Sequence, residues 1–128
     1  MTVRTSLVAT ALLLASPAAF AHGTPPAPAH GGTIAEGSGE HWVELSVSGD
    51  QLTAWVSDEN DKPIPAAQLG GKATVLIDGK SQSVPLSPAE GNSVSGKLAS
   101  PAAGRLTAVL ALTAQGKPVQ VKFVIPSR

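Results

Sequence analysis

The chain has 128 residues, with nine basic and nine acidic side chains, three histidines, two tryptophans, and neither cysteine nor tyrosine. That composition excludes disulfides and thiolate metal sites. The balanced charge argues against a nucleic-acid surface, which needs a basic face.

The first 21 residues read as a secretory signal. Arg4 supplies a positive start, Leu7–Ala15 is an apolar run too short to span a bilayer, and Ala19-Phe20-Ala21 matches the small-x-small cleavage pattern. Cleavage after Ala21 leaves 107 residues beginning at His22, with eight basic against nine acidic groups once Arg4 is gone. A second small-x-small site, Ala27-Pro28-Ala29, lies far from the apolar run and would leave His30 first. No other segment is long and apolar enough to cross a membrane. The expectation is a periplasmic protein, exported and not membrane-spanning once mature.

Residues 22–40 are rich in Gly, Pro and Ala and show no periodicity. Pro25, Pro26 and Pro28 favour extended geometry. The stretch reads as a flexible arm hinged at Gly31-Gly32, with Ala-His-Gly occurring twice, eight residues apart.

From His41 the pattern becomes alternating, and residues 41–128 read as the folded domain. Val43, Leu45 and Val47 alternate with Trp42, Glu44 and Ser46; after the Gly49-Asp50 turn, Leu52, Ala54 and Val56 alternate with Thr53, Trp55 and Ser57. This predicts a hairpin with Trp42 and Trp55 as diagonal neighbours on its outer face. Residues 73–77 and 81–86 flank Asp78-Gly79, a second hairpin signal. Residues 93–100, 105–112 and 119–126 complete the set, with Val119, Val121, Phe123 and Ile125 on one apolar face. About seven short strands without a helix predict an all-β fold: a small antiparallel sandwich or partly open barrel, immunoglobulin-like but without the disulfide of antibody domains.

The three histidines, His22, His30 and His41, cluster near the start of the exported chain. Imidazole suits copper, zinc and nickel. A terminal His22 would add its α-amine, so that amine and ring chelate one ion. The expected metal site takes His22 and His41 as core ligands and His30 as a mobile third, holding Cu(II) or Zn(II). Glu36 or Glu40 is the better added oxygen ligand, because Glu44 lies on the opposite face of its strand from His41. Each histidine also has a plain reading: His22 as a residue at a cut site, His30 as a solvated loop residue, His41 as a strand-end residue at the core edge. Trp42 and Trp55 can be a packing pair. Catalysis has little support: neither a G-x-S-x-G elbow, an H-E-x-x-H pair nor a phosphate loop is present.

His30-Gly31-Gly32, Glu44-Leu45, Asp58 to Pro63 and Leu86 to Asn92 resemble a pattern shared by small exported bacterial proteins and by a domain of periplasmic adaptor subunits of heavy-metal efflux pumps. The resemblance runs from His30 to the end of the chain and implies a periplasmic sandwich near metal-resistance systems, with an efflux-pump component as partner. His22 at a mature N-terminus is also similar to the start of periplasmic copper-resistance C-type proteins and histidine-brace copper enzymes. The function expected is a non-enzymatic accessory that buffers or transfers metal for heavy-metal resistance. The alternative is a metal-free interaction sandwich docking on an envelope protein.

Overall fold

The computed structural model describes residues 24–102 and 104–126. The predicted His22 ligand and signal segment lie outside the described residues.

Eight antiparallel strands account for nearly all regular structure: β1 (Thr33–Gly37), β2 (His41–Ser48), β3 (Gln51–Ser57), β4 (Leu69–Ile77), β5 (Lys80–Pro88), β6 (Ser93–Lys97), β7 (Leu106–Ala114) and β8 (Lys117–Ile125). Two single-turn 3-10 segments, Ser38–Glu40 and Ala66–Gln68, are the only helical pieces among the described residues. No helix there is long and apolar enough to cross a membrane.

Turn chemistry sets the hairpins. Gly49 occupies the first central position of the β2–β3 turn at φ 60°, where type II′ turns place glycine. Asp78-Gly79 and Gln115-Gly116 both have positive φ at their two central positions, the type I′ pattern that matches strand twist.

The strand order is β1-β2-β3-β6-β5-β4-β7-β8, a nearly closed, barrel-like sheet. β5 makes the corner: residues 80–86 pair with β4, whereas Ser87 and Pro88 pair with β6. At the other seam, β1 approaches β8. A Cβ on Gly37 would lie 2.8 Å from a Val119 methyl, and the Gln120 N–H donates to Ser38 Oγ at 2.8 Å. Inside, Phe123, Leu45, Leu52, Leu106 and Leu110 are fully buried with Val43, Val56, Val75, Val84, Val94 and Val119.

Two expectations change. There are eight strands, because Thr33–Gly37, read as arm, pairs along β2 from Thr33↔Leu45 to Gly37↔His41. The last three residues of that arm as read, Ser38–Glu40, are the 3-10 link into β2. A five-residue strand ending in glycine carries too little alternation to be seen without its partner.

Candidate functional site

On β2 the alternation fails. Trp42, Val43, Glu44 and Leu45 are all buried in succession. Val43 and Leu45 face the barrel interior, so Trp42 and Glu44 face outward and something else covers them. That cover is the extended strap of residues 24–32, which crosses the outer face of β1–β3.

Register places Glu44 between Ile34 of β1 and Trp55 of β3. The residue is only 4% exposed, and its carboxylate collects four donors from the strap. Oε1 accepts from the Ala29 N–H and pairs with His30 Nδ1, both at 3.0 Å. Oε2 accepts from the N–H groups of His30 at 2.8 Å and Gly32 at 2.9 Å. Burial alone pushes the carboxyl pKa up, but the Gly32 N–H, the His30 ring and the N–H groups of His30 and Ala29 outweigh it and hold it below its ordinary 4.5. An ionised carboxylate can only accept, so Nδ1 of His30 carries the proton and donates it. In the neutral ring, Nε2 then keeps its lone pair.

The other restraint on His30 is Trp55. The rings are parallel within 4°, with centroids 3.8 Å apart. The imidazole is therefore fixed in plane by stacking and in rotation by Glu44. Its side chain remains 42% exposed. Beside it, Trp42, Trp55 and His30 line a cleft against Asp61 of the following turn.

The strap's path needs its glycines. Gly31 sits at φ 70°. At Gly32 a Cβ would stand 2.5 Å from the Leu45 carbonyl oxygen, so the backbone passes against β2 where no side chain fits.

The remaining predicted ligands are arranged differently. His41 has the parity of Val43, opposite to Glu44, and its Nδ1 donates to the Ser38 carbonyl at 3.0 Å. Glu40, at φ 62°, lies close enough to Glu59 for its carboxyl to push the Glu59 pKa up. Among the described residues no group of three His, Cys, Asp or Glu side chains is positioned to hold a metal ion. Trp42 and Trp55 are diagonal across the β2–β3 pair, as expected, since Trp42 opposes Ser57 and Glu44 opposes Trp55.

Several motif residues do structural work. Asp58 Oδ1 accepts from the N–H groups of Asn60 and Lys62, each at 2.9 Å, which shapes the D-x-x-x-K-P turn. The Asn92 amide donates to the Val56 carbonyl at 3.0 Å and pins the β5–β6 connection. Glu44 is the residue sequence reasoning passed over. Its available signal was an acid on an outward position, in line with two tryptophans and downstream of a histidine-glycine run.

Neither a protein-family model, a curated protein nor a solved structure matches the chain.

Proposed function

We propose that the protein is an exported, non-enzymatic metal-binding accessory, taking Cu(II) first and Zn(II) second, that buffers metal or passes it to a heavy-metal efflux component in the periplasm. The observation that supports this is the His30 Nδ1–Glu44 Oε1 contact at 3.0 Å. Histidines that ligate metals characteristically donate their second ring N–H to a carboxylate or carbonyl, which sets tautomer and raises basicity. His30 has that arrangement with a carboxylate and His41 has it with the Ser38 carbonyl, so each can offer Nε2. His22 would complete the set through its ring and, after cleavage at Ala21, its amine. We read the surrounding fold as an immunoglobulin-like variant of the sandwich, with β5 as the strand that changes sheets.

Calorimetric titration of the exported protein with Cu(II) and Zn(II) tests this. One saturable site of micromolar affinity or tighter is expected, and His30→Ala should weaken it at least tenfold, about 1.4 kcal/mol. Absence of saturable binding to correctly processed protein sinks the proposal.

A second reading, docking on an envelope protein without metal, is favoured by Leu76, Val109 and Val124, which are exposed on one outer face. Leu76 and Val124 both oppose Thr107 from the flanking strands. Under that reading Leu76→Asp abolishes association with the envelope protein, and neither metal shifts the melting temperature.

A further inference from the structure

Charge is divided unevenly along the chain. Residues 24–66 hold seven acids and one base, Lys62. Residues 67–126 hold six bases and two acids, Asp78 and Glu90, both in connections between strands. In the strand order β4 and β7 stand across the barrel from β2 and β3, so the division in sequence becomes a division in space. We infer that the outer face of β4, β7 and β8 docks on an anionic phospholipid surface, with the strap side of the barrel turned away from it.

Register builds the face. Leu76 and Val124 oppose Thr107 from either side, and Val109, two residues further along β7, is diagonal to both. These three are the exposed large hydrophobic side chains of the described residues, and they form one patch. Lys122 lies beside Val109, and Lys72 opposes Ala111 in the next row. Both lysines are exposed. Strands β4, β5, β7 and β8 contain no acidic residue at all. The patch is therefore aliphatic, rimmed by positive charge alone.

That chemistry selects the occupant. A two-fold dimer through this face would set Lys72 and Lys122 against like charges. Protein interfaces favour Trp, Tyr and Arg and are depleted in Lys, while Leu, Thr and Val are under-represented among their hot spots. This face holds the second set and none of the first. A bilayer needs neither aromatic anchors nor fixed pairing geometry. Aliphatic side chains enter at headgroup level, and lysine stems lie along apolar surface while their ammonium groups reach phosphate. The acids of residues 24–66 are repelled by the same surface, which orients the molecule. The inference goes beyond the metal reading, and it shares with the second reading only the face that docks.

The test uses the full exported chain, without metal, and cosedimentation with vesicles. Vesicles of phosphatidylglycerol and phosphatidylcholine in equal parts should bind it about tenfold more tightly than phosphatidylcholine alone. Raising salt from about 0.1 M to about 1 M should remove that difference. Lys72→Glu combined with Lys122→Glu should weaken binding to the anionic vesicles about tenfold. Lys62→Glu combined with Lys97→Glu makes the same charge change away from this face and should weaken it less than about threefold. Leu76→Ser should weaken it about fivefold by removing apolar contact. Equal binding to both vesicles, binding to neither, or equal loss in the two charge-reversed pairs each overturns the proposal. So does a dimer in lipid-free solution that the Lys72→Glu, Lys122→Glu pair abolishes, which would give the face to a second copy. Should a variant not fold, the unmodified chain on the two vesicles at the two salt concentrations decides. Cu(II) titration of the same protein is separate: vesicle binding without metal binding removes the metal reading and leaves this one standing, and the reverse removes only this one.

Discussion

Strands β7 and β2 belong to the same sheet yet bury their residues differently. In β7, Leu106, Ala108, Leu110, Leu112 and Ala114 are buried and the residues between them face outward, the alternation of a strand with one wet face. In β2, Trp42 to Leu45 are buried without a break. The barrel itself accounts for only half of that. The other half comes from the strap, and the one acid it covers is the one it is tied to. Burying a carboxylate unpaired costs several kcal/mol, about 2 at the least, so Glu44 is tolerable inside only because the strap brings its donors. Cover and carboxylate stabilise each other: the strap supplies the donors and the carboxylate ties the strap to β2.

The largest effect should come from the shared core. Phe123→Ala removes a fully buried ring from β8 and should cost about 3–5 kcal/mol in chemical denaturation, seen alike by every probe. Glu44→Ala should cost less, about 2–4 kcal/mol, because it strands three backbone N–H groups and a ring N–H that can partly recover water. Its signature is local: strap amides lose protection while β7 amides keep theirs. Equal loss across both regions in Glu44→Ala would show that strap and barrel are one cooperative unit, with no separate stability on the β2 side.

How far this was legible from sequence follows the range of each interaction. Gly49-Asp50 and Asp78-Gly79 announce their hairpins because the turn type is written in adjacent residues. Gln115-Gly116 closes an equally tight turn, but glutamine at φ 52° is an unusual choice, and the sequence reads there as a looser connection. The adjacency of β3 with β6 and of β4 with β7 is set by tertiary packing and has no local signal. In the site, His30 stands out by residue type, and the parity of Glu44 opposite His41 is read correctly. What parity cannot show is that the strap turns back over that face, twelve to fifteen residues upstream in sequence, with no periodicity to betray it.

Acid should separate the two regions without mutation. The Glu44 carboxyl is held below 4.5 when the strap is docked and returns to about 4.5 when it is not. Its contribution is therefore complete above that value and is lost as pH falls through the lowered, docked-state pKa. Strap amides and Trp55 fluorescence should change in this window below 4.5, before the barrel melts, and Glu44→Gln should remove the transition. A smaller effect comes from the stack: Trp55→Leu should cost about 1 kcal/mol, chiefly as faster exchange at His30.

The smallest effect tests the wet face directly. Val109 is 37% exposed on β7, between Thr74 of β4 and Lys122 of β8. Threonine has nearly its shape and equal strand preference, and its hydroxyl would reach water, so Val109→Thr should change stability by less than about 0.5 kcal/mol. The same replacement at Val121, one strand over but facing inward at 4% exposure, buries a hydroxyl with no partner and should cost about 1–3 kcal/mol. Denaturation midpoints of the two variants measure the asymmetry of an uncovered strand pair. If Val109→Thr were as costly as Val121→Thr, the outer face of β7 would also be covered in the folded protein, and the strap on β2 would no longer be the feature that sets one side of the barrel apart.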